Sequence, residues 1–130
     1  MNQVKENKKA AQKLWATNKY FVLSKSQRIY QDIRNYLKTD PVDPQVVQDY
    51  IDQAQALAED PGAVVNATQH VWGYFKDQAN ASERNSYQDI LSHYQSGQID
   101  QGTVIKFLND MLAQYPNDYL SQQTWLDQAD

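Results

Sequence analysis

Apolar residues recur along this chain every three or four positions, the spacing of one face of an α-helix. Over roughly residues 3–24, Ala11, Leu14, Trp15, Asn18, Phe21 and Val22 share one side. Lys5, Lys8, Lys9, Lys13 and Lys19 occupy the other, with Tyr20 expected to point outward among them. Ser26 is placed to cap a second helix that runs to about Lys38 and buries Ile29, Tyr30, Ile33, Tyr36 and Leu37. "TDPVDP" stops that helix. Asp43 caps a third, with Pro44 at its first position, where the missing N–H is not needed. Val47, Tyr50, Ile51, Ala54, Leu57 and Ala58 form its stripe.

"EDPG" reads as the end of helix three, and a fourth helix is expected over about 63–79. Asn80 and Glu83 have the spacing of a capping box for a fifth, whose inner face is Tyr87, Ile90, Leu91 and Tyr94 and whose end is marked by Gly97. Asp100 caps a sixth, with Ile99 and Val104 at hydrophobic-staple positions. Pro116 ends it, and Asn117 or Asp118 starts a short seventh. Alternating strand patterns and Asn-Gly or Asp-Gly hairpin turns are absent. The expectation is an all-α fold, a single compact bundle of about seven helices with short loops and helix three or four at its centre. Its 130 residues suit one domain spanning 1–130.

Charge divides that domain. Residues 1–39 hold nine cations and two acids, a balance of +7; residues 40–130 hold three cations and fourteen acids, a balance of −11. A basic helical hairpin over 1–39 therefore faces an acidic body over 40–130. Two readings follow: the lysine face meets a polyanion, or it neutralises the body internally.

The run "QHVWGYFKDQ" raises a second question. Continued through the fourth helix, Asn66, His70, Gly73 and Tyr74 fall opposite Val71, Trp72 and Phe75. A glycine inside a helix costs about 1 kcal/mol against alanine, so a compensating role is expected. Either a neighbouring helix approaches at Gly73, or Asn66, His70 and Tyr74 line a pocket with Gly73 as its floor.

Other chemistry is sparse. Cysteine is absent and the two histidines, His70 and His93, lie on different helices, so no metal site is expected. The four glycines are isolated, which leaves no phosphate loop, and no nucleophile elbow occurs. No set of catalytic residues and no cofactor is expected. The N-terminal segment has no apolar core of a secretory signal, and no run is long enough to span a membrane. A cytoplasmic location is the expectation.

Four segments together resemble the YbgA-like domain family, a bacterial domain of unknown function. In "LWATNKYFVLSKSQRIYQ" the matching residues are Trp15, Asn18, Lys19, Tyr20 and Tyr30; in "NATQHVWGYFK" they are Asn66, His70, Gly73, Tyr74, Phe75 and Lys76. "YQSGQI" is the third, and "YPNDYLSQQTWL" the fourth, through Tyr115, Pro116, Tyr119, Leu120 and Gln123. The resemblance runs from about Leu14 to Leu126. It departs from the family pattern at Lys25, where relatives commonly have histidine, and at Asp100 and Val104, where they have proline. Asn109, Asp110 and Gln114 replace basic residues.

The resemblance implies an all-α domain, alone or fused behind a cysteine-rich iron–sulfur domain similar to thiouracil desulfidases, and sometimes encoded beside a DNA photolyase. It thereby implies RNA or nucleobase chemistry in which this domain is an accessory. The leading expectation is a non-enzymatic domain that binds RNA, tRNA or a nucleobase-containing ligand. Lys5, Lys8, Lys9, Lys13 and Lys19 would contact phosphates, Tyr20 or Tyr74 would stack a base, and Asn66, His70 and Gly73 would complete the ligand face. The competing expectation is a protein-interaction module docking on a separately encoded iron–sulfur or nucleic-acid-repair enzyme. A third is a stand-alone enzyme using His70 as acid and base.

Overall fold

A computed structural model describes residues 2–128, and among them the chain forms seven α-helices, a closing 3-10 helix and no strand. The helices are α1 (Asn2–Lys25), α2 (Gln27–Tyr36), α3 (Pro44–Ala56), α4 (Pro61–Trp72), α5 (Ala81–Gln95), α6 (Gln101–Gln114) and α7 (Asp118–Ser121); the 3-10 helix is Thr124–Gln128.

Short polar side chains set the helix starts. Ser26 accepts a hydrogen bond from the Ile29 N–H, Asp43 from Gln45 and Asn117 from Leu120. Asn80 and Glu83 close a reciprocal capping box, and Asp100 accepts from Thr103. The end of α5 is a Schellman turn. Gly97 N–H bonds the Tyr94 carbonyl, Gln98 N–H bonds the His93 carbonyl, and Gly97 sits at φ 81°. Space around it is open, so backbone conformation alone selects glycine. Gly97→Ala is expected to cost about 1–2 kcal/mol, read as a lower urea midpoint at unchanged slope, and Gly97→Asn distinctly less.

The centre of the bundle is α1, not α3 or α4. It packs against α2, α3, α4 and the 3-10 helix. Residues Tyr20 to Ser24 are buried in succession, which requires cover on every side of the helix. The amphipathic pattern of α1 predicts one covered face along its length; residues 2–10 have no buried side chain, Ala11 begins the cover, and Tyr20 to Ser24 are enclosed. α4 meets α1 on one side and α5 and α6 on the other. On that second side Trp72 stacks on Tyr87, with centroids 4.2 Å apart and planes within 6°. One cluster of buried side chains draws on all seven α-helices.

Two boundaries differ from the sequence expectation. Asp60 and Pro61 do not merely end α3; they open α4 with the same cap-and-proline device as Asp43 and Pro44. At its other end α4 stops at Trp72, and residues 73–78 follow as turns. Bonds from Phe75 and Lys76 N–H to the Trp72 carbonyl keep the chain coiled there, so Phe75 and Ala79 still face inward. The stripe expected of α3 also overruns its end: Leu57 is 42% exposed and Ala58 is exposed, because α3 closes at Ala56.

Candidate nucleic-acid interface

Lys5, Lys8, Lys9 and Lys13 are all exposed, on one face of α1 by helical register. Among the described residues, the two hydrogen bonds donated by cationic side chains go to backbone carbonyls rather than acids. Lys25 Nζ bonds the Leu57 carbonyl at 2.9 Å, and an Arg84 guanidinium nitrogen bonds the Lys76 carbonyl at 2.9 Å. Lys19 differs from the other four. It is half-buried, with Nζ 5.9 Å from the ring centroids of both Tyr20 and Tyr30.

Tyr20 does not point outward. It is 5% exposed, because the turns after α4, through Tyr74, and α7, through Tyr119, close over that side of α1. Its hydroxyl lies 3.1 Å from that of Tyr74. Tyr20, Tyr74 and Tyr119 form a triad with centroids 6.3–6.4 Å apart, in which Tyr119 lies within 27° of parallel to Tyr74. Tyr74 is the outer member, 41% exposed. Burial above all, then the Tyr74 hydroxyl, pushes the Tyr20 phenol far above its usual range; burial does the same more mildly to Tyr119. Tyr20 is thus a neutral post that holds the Tyr74 ring at the surface.

Gly73 has neither of the roles expected of it. It is the exposed C-cap of α4. A Cβ there would meet only the carbonyls of His70 at 3.2 Å and Gln69 at 3.8 Å, the preceding turn of its own chain. Neither a neighbouring helix nor a pocket floor lies against it. His70 is exposed one turn before Tyr74, and Asn66 is half-buried. The structure therefore brings Tyr20 and Tyr74 together, while His70 and Gly73 are exposed and Asn66 is half-buried.

The C-terminal segment contributes what periodicity could not reveal. Gln123 is fully buried; its Nε2 bonds the Ala16 carbonyl at 2.6 Å and its Oε1 accepts from the Tyr20 N–H at 3.4 Å. Thr124 bonds Asn18 at 2.8 Å. These contacts clamp the last described residues onto α1. Beside them lies a cleft of about 320 Å³ walled by Gln48, Gln55 and Gln101, with Lys25 at its edge. Much of its polar wall is already engaged. Gln101 accepts from Trp125 Nε1 at 2.8 Å and donates to Glu59 at 3.1 Å, and Asn18 accepts from Thr124. No described residues cluster as a group of three or more histidine or acidic side chains able to hold a metal. No helix of the described residues is long and apolar enough to cross a membrane.

No curated protein and no solved structure matches the chain. A family model does match, over residues 19–129, and the chain belongs to that family, described as protein of unknown function (DUF1722).

Proposed function

We propose that the chain is a non-enzymatic binding domain that takes single-stranded RNA along the lysine face of α1 and stacks a base on Tyr74. One observation carries the reading: Lys5, Lys8, Lys9 and Lys13 are exposed together on one helix face, and among the described residues none of them donates a hydrogen bond to the acidic body. By register Lys9, Lys13, Ala16 and Tyr20 follow one another down α1 at i, i+4, i+7 and i+11. The stripe therefore leads to the tyrosine triad. Phosphates would track the lysines and a base would meet the Tyr74 ring, with His70 close by to contact its edge. Tyr20 positions that ring and does not itself stack. The lysines at 5, 8, 9 and 13 precede the span matched by the family model, whereas Lys19, Tyr20 and Tyr74 lie within it. The phosphate-binding part is thus proposed for this chain and the tyrosine platform for the family.

A narrower identity belongs to the same proposal: a YbgA-like accessory domain of the cytoplasm, serving a separately encoded nucleobase-modifying or repair enzyme. His70, exposed to solvent, is not placed to be oriented and desolvated as an acid or base.

The test is a salt titration of binding to single-stranded RNA and tRNA. Three engaged lysines predict a slope of log affinity against log salt of roughly −2. Lys5→Gln, Lys9→Gln and Lys13→Gln together should flatten the slope by about that amount while changing stability by less than about 0.5 kcal/mol per site. Tyr74→Ala should weaken binding by ~1–3 kcal/mol without altering the slope. No binding to any RNA at low salt would end this reading and leave docking on a protein partner as the account of the lysine face.

A further inference from the structure

Between α5 and α6 the surface opens into a groove of about 450 Å³. Its floor is Ile90, Phe107 and Met111, and its walls carry Glu83, Asp89 and Asp110, with no cation among the lining residues. Ile90 and Phe107 are only half-buried, so apolar surface is left uncovered. Asp89 and Asp110 are exposed, on facing helices of the groove.

The first turns of α1 have the complementary character. No residue between Asn2 and Ala10 is buried, and Val4 is 45% exposed. Lys5, Lys8 and Lys9 flank it, and Val4 and Lys8 lie one turn apart on the same side. From Asn2 to Lys13 this arm is about 18 Å long, against about 22 Å for α5 and about 21 Å for α6 at 1.5 Å per residue. A helix of that length with an apolar residue among lysines is what an acidic groove with an apolar floor accepts.

We infer that the α5–α6 groove binds the basic first turns of α1 from a second copy of this chain, giving a reciprocal, salt-sensitive dimer. Val4 seats against Ile90 and Phe107, and Lys5, Lys8 and Lys9 meet Asp89 and Asp110. Each copy carries one arm and one groove, so a twofold arrangement satisfies both at once and closes the assembly. The inference is independent of RNA binding, although the two ligands compete for the same lysines.

Sedimentation of the full chain at low and high salt tests it. The wild type should be a dimer at low salt and dissociate as salt rises. An arm variant, Lys5→Glu with Lys8→Glu and Lys9→Glu, and a groove variant, Asp89→Lys with Asp110→Lys, should each raise the dissociation constant by more than about tenfold. All five positions are exposed, and circular dichroism should show both variants folded. Mixing the two variants should restore a heterodimer, because the reversed arm then meets the reversed groove and the native arm meets the native groove. Zero-length carbodiimide coupling of the wild-type dimer should join an arm lysine to Asp89 or Asp110. A chain that stays monomeric up to millimolar concentration at low salt overturns the inference. So does a dimer that survives both charge reversals, a mixture that fails to associate, or cross-links that map elsewhere.

Discussion

Replacing Trp125 with alanine is expected to remove ~3–5 kcal/mol of unfolding free energy and to lower Tm by roughly 10–25 °C. The side chain is 1% exposed and sits where the 3-10 helix touches both α1 and α6, so little around it is free to collapse into the space left. Its indole also heads a polar chain through four segments. Trp125 Nε1 bonds Gln101 Oε1 at 2.8 Å, Gln101 Nε2 bonds Glu59 at 3.1 Å, and Tyr94 donates to the other Glu59 oxygen at 2.6 Å. Trp125→Phe separates the two contributions. It keeps most of the packing and removes the indole donor, at an expected cost of about 1–2 kcal/mol. Urea unfolding of the three proteins reads both terms. A loss under ~1 kcal/mol for the alanine variant, as at a surface position, would mean that the 3-10 helix is not seated in the core.

The second large effect is alkaline. Tyr20 and Tyr94 are each 5% exposed. Burial first, then the Tyr74 hydroxyl in one case and the Glu59 carboxylate in the other, raises both phenols far above the usual range. A raised folded value means that the native state holds the proton after the unfolded chain has released it. The stabilisation from that difference is whole below about pH 10, the unfolded value, and is lost as pH climbs toward the folded values. Each such tyrosine removes up to about 1.4 kcal/mol per pH unit once the unfolded phenol is ionised and while the folded one keeps its proton. Urea midpoints measured from pH 8 to pH 12 should fall steeply in the wild type. They should fall less steeply in Tyr20→Phe, where Tyr94 and the more mildly raised Tyr87, Tyr115 and Tyr119 remain, even though that variant begins from a lower stability for want of the Tyr74 hydrogen bond. Equal slopes in both proteins would refute the assignment of Tyr20 as a buried neutral phenol.

The caps are legible in the amino-acid sequence because their chemistry is local: Ser26, Asp43 with Pro44, the Asn80–Glu83 pair, Asp100 and Asn117 each act within four residues of where they stand. Expectation and fold part company where a pattern continues beyond its cause. The apolar spacing runs through Gly73 to Ala79 because the turns after α4 stay coiled, and so a helix end resembles a helix interior. Leu57 keeps the period of α3 after the helix has stopped. Tyr20 has the register of an exposed residue, and its burial depends on Tyr74 and Tyr119, which lie 54 and 99 positions away. Of the candidate site, the lysine face is legible because exposure on a charged helix face is a local property. The tyrosine triad is not, since it is assembled from three distant segments.

The clamp on α1 bears on how the chain is made. Gln123 bonds backbone atoms of Ala16 and Tyr20 across sequence separations of 107 and 103 residues. During translation α1 emerges long before the segment that covers it; at usual elongation rates the interval is on the order of 5–20 s. Throughout that time Phe21, Val22 and Leu23, the centre of the finished bundle, have no partner on one side. The nascent chain is therefore expected to present an apolar helix to chaperones until the segment around Gln123 emerges, and this domain to reach protease resistance only after Trp125 has cleared the ribosome.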